Sequence, residues 1–140
     1  MSADITAPGA RFLNDIAVAP DGDVLVADSD TKRIYAVRDG QVSVWLEHDL
    51  LRAVNGLLPE RDRFIVTTMA GRLLAIDYNT HVITSLAESL GDGDGVGSLG
   101  GGRYLVSEWP GLMHVVAPDG SSRIILDTRS ENRFLNDFLR

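Results

Sequence analysis

Three polar residues recur at nearly constant spacing along the chain and are the first candidates for chemistry. They are Asn14, Asn55 and Asp94, separated by 41 and 39 residues, and Asn136 follows after a further 42. Two amide carbonyls and one carboxylate are oxygen ligands of the kind that bind Ca²⁺, Mg²⁺ or Mn²⁺. The pattern therefore predicts a divalent-cation site if the fold brings the three side chains together. An alternative stays open: Asn55 and Asp94 each precede glycine, and such pairs commonly do no more than form a turn.

The segments that must position these residues repeat with the same period. Asp23, Arg63 and Arg103 begin equivalent apolar runs that are 40 residues apart. Each repeat holds four short apolar segments separated by turn residues, as expected for an antiparallel meander. A period of about 40 residues with four strands is the signature of a propeller blade. The sequence therefore predicts an all-β propeller with three four-stranded blades. The predicted blades cover approximately residues 12–50, 51–91 and 92–131.

The propeller interpretation gives the candidate residues a common place. The innermost strand of each blade lines the central channel of a propeller, and Asn14, Asn55 and Asp94 each start such a strand. We therefore expect their side chains to converge on the axis at about the same height. The strands themselves read as near-continuous apolar runs, such as Val24–Ala27. Runs of this kind predict strands that are buried on both faces between neighbouring blades.

The end of the sequence repeats its beginning. Residues Arg133–Asp137 spell RFLND, the same five letters as Arg11–Asp15. We interpret residues 132–140 as the start of a fourth blade or as a strand exchanged between chains. Three blades do not close a ring, because propellers have about 4 to 8, and an open wedge would expose two apolar blade faces. The expectation is a two-fold homodimer that closes a six-bladed ring, since closed symmetry buries both faces.

The composition narrows the classes of partner. The chain has 13 basic and 20 acidic residues, a net charge of −7 and no cysteine. A nucleic-acid-binding surface needs clustered Lys and Arg, so no nucleic-acid partner is expected.

The first ten residues lack the basic and apolar regions of a signal peptide, and no apolar run is long enough to span a membrane. We therefore expect a cytoplasmic protein without a membrane partner.

Four stretches, taken in order, carry a resemblance to a known family. They are FLNDIAVAPDGDVLVAD, AVNGLLPE, DGDGVGSLGGGRYLVSEWPG and the DTR of residues 127–129. Together they resemble the senescence marker protein/gluconolactonase/luciferin-regenerating family of six-bladed propellers. The similarity covers nearly all of the chain from Arg11 onward but corresponds to only about three blades of a full-length member.

The resemblance implies a divalent cation at the channel mouth, most often Ca²⁺ or Zn²⁺, and the hydrolysis of a small lactone or ester. By position, Asn55 and Asp94 are similar to metal ligands of the family, and Asp94 is also similar to its general base. Asn14 is similar to the asparagine that contacts substrate or metal-bound water. Nothing in this sequence corresponds to the remaining ligand, a glutamate from the first blade. The implied cofactor is thus a divalent cation, with Ca²⁺ preferred and Zn²⁺, Mn²⁺ or Mg²⁺ as alternatives.

Two functions from different classes follow. The first is a metal-dependent lactonase-like hydrolase that acts once the ring is completed. The second is a non-catalytic half-propeller that serves in binding or assembly and keeps a vestigial metal site. The absent glutamate favours the second function, and the presence of Asn14, Asn55 and Asp94 favours the first.

Other polar and aromatic residues are assigned structural roles. Asp28 and Glu108 follow their strands and are expected to be solvated loop charges. Trp45 lies in an outer strand and is expected to serve in packing. The three histidines are spaced by 33 residues, not by the repeat, so we expect that they do not meet and assign them no metal.

Overall fold

The computed structural model describes residues 9–138, and within them the chain forms three four-stranded antiparallel sheets. Each sheet is a meander in which strands follow one another in chain order. The predicted all-β fold of propeller blades is confirmed. The first sheet contains β1 (Leu13–Val18), β2 (Val24–Asp28), β3 (Arg33–Arg38) and β4 (Gln41–Glu47). The second contains β5 (Val54–Pro59), β6 (Arg63–Thr68), β7 (Leu73–Asp77) and β8 (Ile83–Ala87). The third contains β9 (Gly93–Gly100), β10 (Arg103–Glu108), β11 (Leu112–Val116) and β12 (Ser122–Asp127).

Short turns hold each meander in register. The hairpin between β3 and β4 turns at Asp39 and Gly40, whose φ angles are +49° and +76°. Positive φ at both central residues is the geometry of the tight turn that matches the right-handed twist of paired strands. Short 3₁₀ helices at Asp49–Leu51 and Arg129–Glu131 follow the first and third sheets. Among residues 9–138 no helix has the length and apolarity needed to cross a membrane.

The core lies between consecutive blades and not within any one of them. We call the side of a blade that meets the next blade its rear face, and the opposite side its front face. One cluster joins the rear face of the first blade, including Leu25 and Ile34, to the front face of the second, including Phe64. A second cluster joins the rear face of the second blade, including Ile65, to the front face of the third, including Val106. The central strands of the second blade are therefore buried on both sides, as their continuous apolar runs predicted.

The two outer faces of this three-blade stack differ. On the front face of the first blade, Val26 and Tyr35 form a small cluster with Ala10, and Tyr35 is only 2% exposed. This face is thus less open than the sequence suggested. On the rear face of the third blade, Leu105, Met113 and Val115 are partly exposed. Their equivalents in the first two blades are almost fully buried: Leu25, Ile34, Ala36, Ile65, Leu73 and Ala75. The rear face of the third blade therefore has the residues of a blade junction without a whole blade against it.

The tail, residues 133–138, lies against the inner edge of the third blade. The Ser107 hydroxyl donates a hydrogen bond of 3.0 Å to the Asn136 carbonyl. Thr128 likewise donates to the Arg133 carbonyl at 2.8 Å. The ring of Phe134 stacks on Trp109 with 5.1 Å between centroids. These contacts hold the tail where the innermost strand of a following blade would lie.

Candidate functional site

The three predicted site residues share one structural feature, a two-residue bulge in the innermost strand of each blade. In β1 the register passes from Leu13 to Ile16 while the partner strand advances from Asp28 to Val26. The equivalent shifts occur between Val54 and Leu57 in β5 and between Gly93 and Val96 in β9. The bulged pairs are Asn14 with Asp15, Asn55 with Gly56, and Asp94 with Gly95. A bulge re-aims side chains at a sheet edge, so each blade turns this position in the same way.

The glycines that follow Asn55 and Asp94 belong to these bulges and do not mark turns. Gly56 and Gly95 lie inside strands β5 and β9, and neither has a positive φ. The Asn55–Gly56 and Asp94–Gly95 pairs are therefore not turn dipeptides. Glycine is required for another reason: a Cβ on Gly56 would lie 2.2 Å from the Asp94 carbonyl oxygen. The innermost strand of the second blade thus packs directly on the backbone of the third.

A buried hydroxyl fixes this strand contact between the second and third blades. Thr67, opposite the β5 bulge, is fully buried. Its Oγ1 accepts a hydrogen bond from the Gly56 amide at 2.9 Å and donates one to the Asp94 carbonyl. The backbone that carries the candidate base is therefore positioned by the preceding blade. The third blade repeats the arrangement with Ser107, Gly95 and Asn136.

The first blade makes its junction differently. Its equivalent of Thr67 is Ala27, which has no hydroxyl. Ser29, two residues further on, donates instead to the Val54 carbonyl at 2.6 Å. The Asn14 side-chain amide donates to the same Ser29 hydroxyl at 3.2 Å. Asn14 is thereby linked to the start of the second blade's innermost strand.

The three predicted residues differ in exposure. Asn14 is exposed, Asp94 is partly buried and Asn55 is only 4% exposed. None of the hydrogen bonds formed within residues 9–138 joins these side chains to one another. The fold therefore places them at equivalent points of adjacent strands without locking them together. Their assigned roles as cation ligands, base and substrate contact stay predictions.

Two further carboxylates, which the sequence reasoning missed, lie at this site. The pKa of Asp94 is raised by burial and by the negative charges of Asp137 and Asp15. The pKa of Asp15 is also raised, mainly by burial, although its Oδ2 accepts the Leu57 amide at 2.6 Å. Both residues were visible in the sequence as the last letter of the repeated RFLND segment. The inner edge of the blades is consequently a site of concentrated negative charge.

A groove of about 420 Å³ runs along this edge. Its polar walls are the carboxylates Asp15 and Asp137, and its apolar walls include Leu57, Val96 and Phe138. Carboxylates that lie close together favour the binding of a cation, because it offsets the repulsion between their charges. Asn14, Asn55 and Asp94 do not line this groove, but its two carboxylates are the ones whose charges raise the pKa of Asp94.

The donor set fits a hard cation in type but is sparse in number. Within residues 9–138, no three His, Asp or Glu side chains are grouped closely enough to hold a metal ion. Calcium prefers six to eight oxygen ligands, which include amide carbonyls and water. Asn55 and Asp94 would supply two of these oxygens, and other groups would have to supply the rest. These two residues suit Ca²⁺ better than Zn²⁺, which prefers nitrogen and sulfur ligands.

The prediction that Asp28 and Glu108 are solvated loop charges is wrong. Asp28 is fully buried because its carboxylate accepts the backbone amides of Arg11 and Phe12, at 2.9 and 3.1 Å. Glu108 is 6% exposed and pairs with His114, which is equally buried. Each carboxylate is the last residue of the second strand of its blade, and that strand lies in the core.

The aromatic and histidine predictions are confirmed in part. Trp45 packs edge-on against Phe64 with 5.8 Å between centroids, as expected of a packing residue. His48 caps the 3₁₀ helix after β4, His81 lies in a turn with a φ of +58°, and His114 lies in β11. The three histidines thus lie in three different structural elements.

Comparison with known proteins bears on the fold alone. No protein-family model and no curated protein matches this sequence. A streptogramin B lyase structure aligns with a TM-score of 0.70 and 15% identity, over 87% of this chain and 42% of the lyase. Virginiamycin B lyase from Staphylococcus aureus aligns with a TM-score of 0.66 and 13% identity, over 86% and 42%. The extracellular domain of a protein named as a hybrid two-component system, from B. thetaiotaomicron, aligns with a TM-score of 0.66 and 16% identity, over 99% and 19%.

These neighbours are β-propeller proteins, and this chain has the same blade architecture. Some are enzymes and some are not named as such, so the likeness does not select an activity. The chain spans about two fifths of the lyases that it matches. None of these matches supports membership of the gluconolactonase family, so that resemblance remains one of sequence motifs.

Proposed function

We propose that this chain contributes the cation-binding inner edge of a propeller hydrolase that acts on small lactones or esters. The observation that carries the proposal is the bulge repeated at Asn14, Asn55 and Asp94 in three successive innermost strands. The assignment of lactones or esters rests on the motif resemblance. Activity would require the remainder of a closed propeller, supplied by further blades.

Asn55 and Asp94 are the proposed cation ligands. The negative charges of Asp15 and Asp137 acting on Asp94 support this role, because a divalent cation would neutralise charges that otherwise repel one another. A bound cation would polarise the substrate carbonyl and make a coordinated water more acidic. The missing first-blade glutamate would be replaced by one of the additional carboxylates at this edge.

Asp94 is the proposed proton acceptor. A carboxylate with a raised pKa is a better base at neutral pH than an ordinary one, and burial together with Asp15 and Asp137 raises the pKa of Asp94. Its backbone is held by the hydrogen bond from Thr67. Asn14, exposed at the rim and bonded to Ser29, is the proposed substrate contact.

The test combines metal titration with lactone hydrolysis. Calorimetry with Ca²⁺ and Zn²⁺, and gluconolactone hydrolysis with each metal, would be measured on the chain and on Asp94→Asn. Asp92→Asn is the matched control, because Asp92 is an exposed neighbouring carboxylate. We expect cation binding, and any metal-stimulated hydrolysis, to be lost in Asp94→Asn and kept in Asp92→Asn. Unchanged cation binding in both variants would refute the proposed ligand set.

A second candidate function is a non-catalytic assembly module. It is favoured by the partly exposed rear face of the third blade, where Leu105, Met113 and Val115 occupy junction positions. Cation binding without hydrolysis, under conditions in which the ring is complete, would favour this second function.

A further inference from the structure

The junction between the first two blades holds a cleft with an aromatic wall. Trp45 of β4 lines the cleft together with Tyr78 and His81, which lie in the turn between β7 and β8. The centroid of the Trp45 ring is 4.6 Å from that of His81 and 6.0 Å from that of Tyr78. Trp45 and Tyr78 are partly exposed, so both present surface to the cleft. The volume of this cleft is about 470 Å³.

The junction between the second and third blades has an equivalent cleft without this wall. Trp45 and Leu86 are the extra residues of equivalent bulges in β4 and β8, and each packs against the core cluster of its junction. Tyr78 likewise corresponds to Pro118, because each lies two residues beyond an equivalent point of the sheet register. The cleft lined by Leu86 and Pro118 has a volume of about 160 Å³. Leucine and proline thus suffice to close a blade junction, so packing alone does not require two aromatic residues at the first one.

Two carboxylates and one guanidinium form the polar rim of the aromatic cleft. Arg38 donates from Nη2 to the carboxylates of Asp21 and Asp23, at 2.7 Å in each case. The Tyr78 hydroxyl donates to Asp21 at 2.6 Å, and this bond links the second blade to the first. With one guanidinium between two carboxylates, the rim has one negative charge in excess.

Aromatic rings beside an excess negative charge suit a cation. The face of an indole or phenol ring attracts an organic cation that lies within about 6 Å of its centroid. Donation of the hydroxyl proton to a carboxylate makes the Tyr78 ring richer in electrons. The same bond is the main cause that lowers the pKa of Asp21, so this carboxylate is ionised at neutral pH. The Asp21 side chain is 39% exposed, so a ligand can approach it from solvent.

We infer that the cleft between the first two blades binds a small organic cation of the quaternary ammonium class. Trp45 and Tyr78 contact the alkyl groups around the nitrogen, and Asp21 supplies the opposite charge. Such a cation carries its own apolar surface, which the rings can remove from water. The site uses none of the residues at the inner edge of the blades, so the inference does not rest on the proposed hydrolysis.

Choline and its neutral carbon isostere, 3,3-dimethylbutan-1-ol, test the inference because they differ in charge and hardly in shape. Nuclear magnetic resonance would follow the indole N–H of Trp45 during titration, with sodium chloride at matched ionic strength as the reference. The chain has two tryptophans, so Trp109→Leu identifies the Trp45 signal. We expect a saturable shift with choline and about 10-fold weaker binding of the alcohol. Equal binding of the two compounds, or no saturable shift with choline, would overturn the inference.

Two variants remove the two parts of the site separately. Trp45→Leu introduces the residue type that the second blade has at this position, Leu86, and should weaken choline binding by about 2- to 30-fold. Asp21→Asn removes the rim charge and should weaken it by about 5-fold.

Asp119→Asn is the matched control, because Asp119 is an exposed carboxylate in the same Pro-Asp-Gly sequence as Asp21. Choline binding to this control should equal that of the unmodified chain. Circular dichroism of each variant would establish that the blades remain folded. Unchanged binding in both Trp45→Leu and Asp21→Asn, or an equal loss in Asp119→Asn, would contradict the assignment of the cleft.

Discussion

Replacing Thr67 by valine tests whether the buried hydroxyl holds the second and third blades together. The hydroxyl accepts the Gly56 amide and donates to the Asp94 carbonyl, and Thr67 itself is fully buried. Valine has nearly the same shape, so the substitution removes the two hydrogen bonds without creating a large cavity. The backbone groups of Gly56 and Asp94 are then left without their partner.

The expected loss of unfolding free energy follows from those two groups. A buried donor or acceptor left unsatisfied costs about 1 to 3 kcal/mol. Gly56 is buried, but Asp94 is partly exposed, so its carbonyl can recruit water and falls at the low end of that range. Thr67→Val should therefore destabilise the chain by about 2 to 4 kcal/mol.

The matched control is Thr67→Ser, which keeps the hydroxyl and removes one methyl group. The third blade uses serine at the equivalent position, Ser107. Loss of a single buried methyl group should cost about 1 kcal/mol. The difference between the two variants therefore isolates the hydrogen bonds from the packing.

Urea unfolding at one fixed protein concentration, followed by circular dichroism, would give both free energies. Amide hydrogen exchange at Gly56 would report the local effect, with faster exchange expected in Thr67→Val than in Thr67→Ser. If Thr67→Val lost no more unfolding free energy than Thr67→Ser, the two hydrogen bonds of the hydroxyl would contribute nothing measurable to stability, and the reasoning would be refuted.

Three further predictions concern the inner edge and the core. The pKa of Asp94 is raised in the folded chain, so ionisation of this carboxyl costs stability as the pH rises above its ordinary pKa of 3.8. The stability of Asp94→Asn relative to the unmodified chain should therefore be greater at pH 7 than at pH 4. Urea titrations showing the opposite trend would contradict this. Gly95→Ala places a Cβ 2.6 Å from the Asp137 carboxylate and 2.8 Å from its Cα, so it should displace the tail and speed hydrogen exchange there, whereas unchanged exchange would show that the tail is not seated on this glycine. Phe64→Ala empties a fully buried position between the first two blades and should cost about 3 to 5 kcal/mol, while a loss below about 1 kcal/mol in thermal or urea unfolding would place that ring outside the core.

The repeat made the fold predictable to the level of individual strands. The 40-residue spacing of Asp23, Arg63 and Arg103 located equivalent strands, and the observed sheets follow the predicted order of four strands each. This worked because a strand buried on both faces needs a continuous apolar run, and turn residues interrupt such runs. The repeat also located the bulged positions Asn14, Asn55 and Asp94, since equivalent blades bend the backbone at the same place.

The environment of the site could not be predicted in the same way. Asp28 and Glu108 were assigned to solvated loops, and the structure buries both. Sequence position shows that a carboxylate follows an apolar run, but burial depends on partners such as the Arg11 amide or His114. Those partners are supplied by other strands, and no local pattern identifies them.

By itself, the sequence determined the period, the all-β class and the set of oxygen-bearing residues at one point of each repeat. These properties depend on the alternation of apolar runs and turns along the chain, which is local information. Only the tertiary structure decided that Asp15 and Asp137 approach Asp94, and that the tail sits on the third blade. The charge on a site and the occupant of a strand position depend on how separate blades pack, and that packing brings together residues that are distant in sequence.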